Sequence, residues 1–378
     1  MSRDIYEITL LKRGSILLKE TKMSQVFFAP LKDNVSINEQ VKAVVELLTK
    51  IKLGELIAPN DFVAVKLHVG EENNTTHVRP ELIKAIVDEA HRESANVFLT
   101  ETSTLYKGER ENAVKHLMHA YKHGFGIERV GAPFIMADGL TGGSEIEVTI
   151  DGIHEKKVKI AREIAIADVL IVVSHPTGHV QTGLGACLKN LGMGLASRAG
   201  KLRQHSAVKP EVSPQCRFCK KCIKWCPEAA IVEHGQQALV LTEKCIGCGE
   251  CLTICRYDAI KYDWGTESGL LQQRMVEHAY GVIKGKEDKC VYINVLVNMT
   301  SDCDCYNTKQ SKLIPDLGVL ISKDPVAIDK ATLDLTMEAN RKSLAEMSYP
   351  ELDPMNQLEH GVRLGMGSLE YELVRVNI

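Results

Sequence analysis

The sequence predicts an α/β protein whose mostly parallel sheet, covered by helices, is interrupted by a small α+β insert. Strand-like and helix-like segments alternate between residues 24 and 208, and the alternation resumes after residue 264. This alternation is typical of a parallel sheet with helices on both faces. Eight of the twelve cysteines lie together between these two parts. We therefore expect one split domain, 24–208 and 265–378, with an insert at 209–264.

In the first part, each predicted element has a local signal. Ser36 and Glu39 form an S-x-x-E capping box that opens a helix, and Pro80 suits the first position of another helix. The apolar runs at 62–67, 97–100 and 169–173 predict strands. Further helices are expected at 112–123 and 186–191, and a hairpin is expected from 145–150 to 156–160.

The second part continues the pattern. Strands are predicted at 291–297, 317–321 and 371–376, and helices at 270–283, 325–340 and 358–364. Asp324 and Pro325 form a cap and first turn for the helix at 325–340. Residues 1–22 have little pattern, and Lys19-Glu20 can be encoded by a ribosome-binding sequence just ahead of Met23. We expect this segment to be a disordered or mis-called leader.

Composition excludes several classes of protein. The chain has 378 residues, of which 44% are hydrophobic and 25% charged, and its formal net charge is −3. This balance argues against a generally basic nucleic-acid binder. The apolar runs are too short to span a bilayer, and the start does not resemble a secretory signal. We expect a cytoplasmic protein.

The cysteine spacing is the strongest chemical signal. The pattern C-x-x-C-x-x-C-x-x-x-C, which is the bacterial ferredoxin spacing, occurs twice. In such proteins the fourth cysteine of each motif binds the other cluster. The prediction is one [4Fe–4S] cluster on Cys216, Cys219, Cys222 and Cys255, and a second on Cys245, Cys248, Cys251 and Cys226.

Two zinc sites or a disulfide framework are the competing interpretations of these cysteines. Two zinc sites would need four ligands each, but they would not require this particular cysteine repeat. Disulfides are rare in a reducing compartment. Gly247 and Gly249 allow the second loop to approach a cluster closely. The residues around Gly235 suit a small hairpin beneath the clusters.

Polar side chains follow several predicted strands, where ligands bind in open α/β sheets. Lys66 and Glu101 lie at strand ends. The candidate catalytic residues are His68, Glu71, His175, His179, Lys189 and His205. Cys303 and Cys305, flanked by Asp302 and Asp304, suggest a further divalent metal site or a redox pair. A solvated acidic loop is the alternative.

Other candidates also have two interpretations. His175 and His179 suit a metal or an anion, or ordinary loop chemistry. The glycine-rich stretch 189–194 suits a phosphate or carboxylate site, or tight helix packing. Cys187 is an activated or a buried structural thiol. Asp324 and Asp329 are expected to be a helix cap and a surface charge, and a ligand role is the alternative.

Several segments resemble a known family. They are KLHVGE (66–71), SHPTGH (174–179), KNLGMG (189–194), DCDC (302–305) and SKDPVAID (322–329). These segments resemble the iron–sulfur proteins of the domain-of-unknown-function 362 group, and the resemblance extends from Met23 to the end. It implies [4Fe–4S] binding and anaerobic or strictly reducing metabolism.

Three functions are compatible with these signals. The first is an oxidoreductase that passes electrons from the insert to a small-molecule substrate or metal at the sheet edge. The second is a non-enzymatic electron-transfer adaptor that docks a redox partner protein. The third is a protein that handles a metal or cofactor.

Overall fold

Eight strands form the central sheet of the computed structural model, which describes residues 23–205, 209–245, 247, 249–261 and 267–378, and backbone alone at 6–8, 18–20 and 253. In chain order they are β1 (Ser24–Pro30), β2 (Val63–Lys66), β3 (Val97–Glu101), β4 (Phe134–Met136), β5 (Val169–Ser174), β6 (Cys290–Leu296), β7 (Gly318–Ser322) and β8 (Tyr371–Arg375). Across the sheet the order is β8-β1-β7-β6-β5-β2-β3-β4.

The sheet is mostly parallel, which confirms the predicted fold class. Within it, β7 alone runs antiparallel to both of its neighbours, β6 and β1. The other paired strands are parallel. The chain from β6 to β7 contains no helix, and antiparallel neighbours need none because no crossover is required.

Thirteen α-helices are found in the described residues. They are α1 (Ile37–Lys50), α2 (Pro80–His91), α3 (Ala113–Lys122), α4 (Ile127–Val130), α5 (Arg162–Ile166), α6 (Cys187–Gly192), α7 (Arg198–Gln204), α8 (Lys221–Trp225), α9 (Glu250–Ile254), α10 (Ser268–Ile283), α11 (Pro325–Asn340), α12 (Leu344–Ser348) and α13 (Met355–Arg363). Short 3-10 helices cover Leu53–Leu56 and Glu287–Lys289. The capping box at Ser36 and the Asp324 cap are both formed.

Helices cover both faces of the sheet, so the core has two layers. Along β5, Val169 and Ile171 pack with one hydrophobic cluster, whereas Leu170 and Val172 pack with the other. The first cluster includes residues of α1 and α2, and the second includes residues of α6, α10 and α11. Successive residues on a strand point to opposite faces, which explains why these buried strands are apolar throughout.

Small antiparallel ladders lie outside the main sheet. They pair Glu145–Thr149 with Lys157–Ala161, Thr177–His179 with Gly183–Gly185, Glu211–Val212 with Ile260–Lys261, and Ile231–His234 with Gln237–Val240. The last ladder is the expected hairpin around Gly235. Backbone pairing also joins Tyr6–Ile8 to Leu18–Glu20. The rest of the proposed leader lies outside the described residues.

Among the described residues, no helix has the length and apolarity needed to span a membrane.

Candidate functional site

A cavity opens where the strand order changes direction. The chain runs outward from β2 to β3 and β4, and then places β5 and β6 on the other side of β2. Neighbouring connections therefore diverge at the carboxyl ends of β2 and β5, the usual ligand position in such sheets. A cavity of about 190 Å³ lies here, and His68, His175, His179, Lys189 and His205 all contribute to its wall.

A buried ion pair lies at the floor of this cavity. The Lys66 ammonium is 3.6 Å from a carboxylate oxygen of Glu101, and both side chains are 2% exposed. Lys66 also donates to Asn190 Oδ1 at 2.6 Å, which anchors it to α6. Burial lowers the pKa of Lys66 to about 8, although Glu101 opposes the shift. Lys66 therefore changes charge closer to neutral pH than an exposed lysine does.

Arg110 organises the wall beside this pair, although it was not among the residues expected there from the sequence. Its guanidinium donates to Glu71 Oε1 at 2.8 Å and to His68 Nε2 at 3.0 Å. Glu71 also accepts a hydrogen bond of 2.9 Å from Tyr106. Burial and the charge of Arg110 hold the pKa of His68 well below its usual value. His68 is therefore neutral. Arg110 and Tyr106 lie in the loop that follows β3, and that position is the signal in the sequence that points to them.

His175 is an ion-pair partner and not a free ligand. Its Nδ1 donates to Asp304 at 2.9 Å, and its Nε2 donates to the carbonyl of Val297 at 3.0 Å. Burial opposes a charge on this ring, but Asp304 raises the pKa of His175 above its usual value. With both nitrogens protonated, His175 cannot bind a metal. In this state His175 contributes no metal ligand, and a role of His175 and His179 in binding an anion stays a prediction.

His179 and His205 also line the cavity. The Thr182 hydroxyl lies 2.9 Å from His179 Nδ1, and burial with the charge of Lys189 holds the pKa of His179 well below the usual value. Burial also lowers the pKa of His205 to about 4. Both rings are therefore neutral polar groups at physiological pH.

Helix α7 carries a second buried lysine into the cavity. Lys201 donates to Thr102 and to the carbonyl of Ala196, the latter at 2.8 Å. Burial lowers the pKa of Lys201 to about 7 and raises the pKa of its neighbour Asp138 to about 6. Asp138 follows β4, a strand that the sequence did not predict, and it was missed for that reason.

The loop at 302–305 is not a solvated acidic loop. Cys303 and Asp304 are 5% and 2% exposed, and both line the cavity with Cys305. Lys189 donates to Cys303 Sγ at 3.2 Å. This thiol therefore belongs to the cavity, together with the ammonium that faces it.

The start of α6 is already occupied by a carboxylate of the protein. Asp329 accepts hydrogen bonds from the backbone amides of Cys187 and Leu188 at 2.9 and 2.8 Å. Asp329 is fully buried, so its expected role as a surface charge is wrong. A Cβ on Gly192 would lie 2.0 Å from the carbonyl of Met275. Tight packing therefore explains Gly192, and the first two amides of α6 are taken by Asp329 rather than left for a phosphate.

Burial and helix capping explain two further residues, Cys187 and Asp324. Cys187 is fully buried, and burial holds its pKa well above the usual value, so it is an inert structural thiol. Asp324 caps α11 by accepting from the amides of Val326 and Ala327, each at 2.8 Å.

The insert groups its thiols in two sets. Burial raises the pKa of Cys222, and the thiols that raise it further are Cys255, Cys216 and Cys219. This set contains one residue of the second motif, as the crossed ligand pattern requires. A separate cavity is lined by Cys226, Cys245 and Cys251. Cys248 lies outside the described residues. The donors present thus fit two cluster sites.

The two motifs have positive φ angles at equivalent described positions. Positive φ angles occur at Phe218 (48°) and Lys220 (59°), and again 29 positions later at Gly247 (67°) and Gly249 (77°). Ala229 and Asp258 form a third matching pair, with φ of 46° and 51°. These turns aim backbone amides at sulfur, as in the 3.3 Å contact from Ala230 to Cys226. Amides directed at thiolates favour the charged form.

The insert packs directly on α7. The Gly249 position has so little space that a Cβ there would lie 2.3 Å from Leu202 Cδ2. Lys159 joins Glu250 of α9 at 3.2 Å, and Lys107 joins Asp258 at 3.4 Å. Helix α7 therefore separates the second cysteine loop from the cavity.

Comparison with known proteins assigns the family. The family model described as "Domain of unknown function (DUF362)" matches residues 63–334. The chain belongs to the DUF362 family. The resemblance seen in the sequence is therefore confirmed, and the match includes the residues around the cavity as well as the cysteine-rich segment.

Two curated relatives of this DUF362 protein are reductase subunits. The respiratory nitrate reductase 1 beta chain of Escherichia coli (strain K12) is 24% identical over 160 residues, which are 38% of this chain and 27% of that protein. A selenate reductase subunit of Mesobacillus selenatarsenatis is 31% identical over 83 residues, which are 20% of this chain and 28% of that protein. The chain thus spans just over a quarter of these relatives.

Among solved structures, the lactate racemase apoprotein from Thermoanaerobacterium thermosaccharolyticum matches with 14% identity and a TM-score of 0.38. The match covers 78% of this chain and 55% of that one. The cysteine cluster of the DUF362 chain is consistent with iron–sulfur clusters.

Proposed function

We propose that this protein is an oxidoreductase that passes single electrons from two [4Fe–4S] clusters to a small anionic molecule in the cavity. Cys216, Cys219, Cys222 and Cys255 would hold one cluster, and Cys245, Cys248, Cys251 and Cys226 the other. Each cluster supplies one-electron redox chemistry. We further propose that 209–264 is an insert in one domain formed by 24–208 and 265–378. The ladder between Glu211–Val212 and Ile260–Lys261 supports this division.

The position of α7 is the observation that carries the proposal. Lys201 and His205 line the cavity, while Leu202 of the same helix packs against Gly249 in the second cysteine loop. The cavity and this loop are therefore separated by about one helix diameter, ~10 Å. At this separation, electrons pass through the protein itself, and no mobile carrier is needed between the loop and the cavity.

The charge of the cavity supports an anionic substrate. Among its described lining residues are four basic side chains, Lys66, Arg110, Lys189 and Lys201, and two carboxylates, Glu101 and Asp304. Asp304 is neutralised by His175 at 2.9 Å. A Cys303 thiolate offsets the charge of Lys189, which lies 3.2 Å from its sulfur, but positive charge still remains in excess, and in a partly enclosed space it attracts anions. Lys66 and Lys201 are also placed to donate a proton to a reduced product, since their pKa values are lowered by burial to about 8 and 7.

The test uses anaerobically prepared full-length protein. We expect about eight irons per chain and a paramagnetic signal after dithionite reduction. Nitrate, acetate and oxalate, added separately as probe anions, should change that signal because a single helix, α7, separates the cavity from the second cysteine loop. The Lys66→Met and Lys201→Met variants should lose this response. Lys84→Met is the control, since Lys84 forms an exposed ion pair with Asp88 on α2. A signal insensitive to all three anions would refute the proposed substrate site.

The adaptor function remains the second candidate because one surface favours it. The insert has three large apolar side chains that are exposed: Trp225 (56%), Leu239 (42%) and Tyr257 (48%). Two of them are aromatic, and exposed aromatic residues are typical of protein interfaces. The curated relatives are themselves named as reductase subunits. An adaptor would bind eight irons and show no response to anions, whereas replacing Trp225 would slow electron exchange with its redox partner protein.

A further inference from the structure

Cys303 and Cys305 are separate from the cluster motifs and lie in the cavity wall. A tight turn holds them, in which the Tyr306 amide donates to the Cys303 carbonyl at 2.9 Å. The amide of Cys305 also points at Cys303 Sγ, at 3.4 Å. The turn thus folds the backbone of one cysteine onto the sulfur of the other.

The spacing of this pair permits a disulfide. Residues two positions apart span at most about 7 Å when fully extended, and the turn shortens this distance. Disulfides join cysteines whose Cα atoms are about 4.4–6.8 Å apart. The two residues already touch, since the Cys305 amide contacts Cys303 Sγ. A disulfide therefore requires no other segment of the chain.

The charges distinguish the two thiols. The Cys305 hydrogen bond and the Lys189 ammonium lower the pKa of Cys303 to about 5, against the effect of burial. The pKa of Cys305 is held well above its usual value by its interaction with Cys303 and by burial. The reduced pair is thus a thiolate beside a thiol, and a thiolate is the reactive form of cysteine.

A metal at these two sulfurs lacks further ligands. Among the described residues, the one group of three or more His, Cys, Asp or Glu ligand atoms within 4.8 Å of one another is His154, Glu277 and His360. No such group includes Cys303 or Cys305, so the possible additional divalent metal is not supported there. The Glu277 carboxylate in that group already accepts hydrogen bonds from the amides of Ile153 and Glu155, each at 2.7 Å. A structural role therefore explains its position.

We propose that Cys303 and Cys305 form a reversible disulfide that serves as a two-electron redox centre of the cavity. Opening it consumes two electrons and one proton. The sulfur–sulfur bond breaks, Cys303 becomes a thiolate facing Lys189, and Cys305 becomes a thiol. Closing it releases the same two electrons and proton. The source of electrons rests on the proposed function, because the two cluster sites would deliver one electron each.

The first experiment asks whether the disulfide forms. Anaerobic holoprotein is equilibrated in mixtures of reduced and oxidised dithiothreitol, quenched in acid, alkylated and mapped by mass spectrometry. The peptide with Cys303 and Cys305 should be either doubly alkylated or two hydrogens lighter and unalkylated. Cys187 and Cys290, which are buried elsewhere, should stay reduced thiols. A Cys303–Cys305 peptide alkylated at both positions in every mixture would overturn the proposal.

The second experiment counts electrons. Oxidised wild-type protein titrated with reduced methyl viologen should take up about four electrons, one for each cluster and two for the disulfide. Cys303→Ser/Cys305→Ser should take up about two, and the control Cys187→Ser/Cys290→Ser about four. Equal uptake by wild type and the first variant would overturn the redox pair. If alkylation shows the disulfide but viologen-reduced protein keeps it closed, the pair stands and electron delivery through the clusters fails.

Discussion

Replacing Gly249 with alanine tests the packing of the cysteine loop on the cavity wall. Gly249 has φ of +77°, and an added Cβ would lie 2.3 Å from Leu202 Cδ2 and 2.8 Å from Leu202 Cβ. The left-handed backbone costs a non-glycine residue about 1–2 kcal/mol, and overpacking typically costs about 1–3 kcal/mol. We expect Gly249→Ala to destabilise the native insert by about 2–5 kcal/mol.

Gly235→Ala is the matched control within the same insert. Gly235 has φ of +59°, but nothing lies within 4 Å of its Cβ position. This variant therefore carries the backbone cost alone, about 1–2 kcal/mol. The difference between the two variants isolates the contact with Leu202.

The assay is the rate at which anaerobic holoprotein loses its visible cluster absorption in guanidinium chloride, since cluster loss is irreversible and measures kinetic stability. Gly249→Ala should lose it about 5- to 150-fold faster than Gly235→Ala, because the overpacking cost of about 1–3 kcal/mol converts at about 1.4 kcal/mol for each factor of ten. Adding Leu202→Ala removes the 2.3 Å contact but leaves the 2.8 Å one, so rescue should be partial. Equal rates for the two glycine variants, or no rescue by Leu202→Ala, would refute the proposed packing.

Three further predictions concern the thiols and the buried lysine. Cys255→Ser should halve the iron content and remove the signal of the site formed by the first motif, although it lies in the second motif; loss of all iron would contradict the crossed sets. With its pKa lowered to about 5, Cys303 should react with iodoacetamide at a rate that rises with pH up to about 6 and then levels off, whereas Lys189→Met should shift this rise to higher pH. Burial lowers the pKa of Lys66 from 10.5 to about 8. As the pH rises, the folded protein therefore releases this proton before the unfolded chain does. Stability measured by urea unfolding should therefore rise from pH 8 to 10.5, by up to about 3 kcal/mol, and Lys66→Met should lack that increment.

Much of the fold could be predicted because its signals are local. Caps such as Ser36 and Asp324 depend on residues within one turn, and both are formed. The alternation of strands and helices follows from the periodicity of apolar residues. The direction of β7 could not be predicted, because an apolar run has no mark that distinguishes a parallel from an antiparallel strand.

The candidate site was predictable in part for the same reason. Parallel strands place their carboxyl ends at one edge, so His68, His175 and Lys189 were expected to lie together, and all three line the cavity. Arg110 lies nine positions beyond the end of β3, whereas only polar residues close to the strand ends were expected in the site. The roles of His175 and Asp329 were also missed, because their partners, Asp304 and the first amides of α6, are distant in sequence.

By itself, the sequence determined the thiol spacing, the fold class and the edge of the sheet where polar groups gather, since each depends on short-range patterns. Only the tertiary structure decided which charges are buried, which polar groups neutralise them, and that α7 lies between the second cysteine loop and the cavity. These properties depend on contacts between residues far apart in the chain, such as Cys187 with Asp329, 142 positions away. Burial changes the cost of each charge, and burial exists only once the chain is folded.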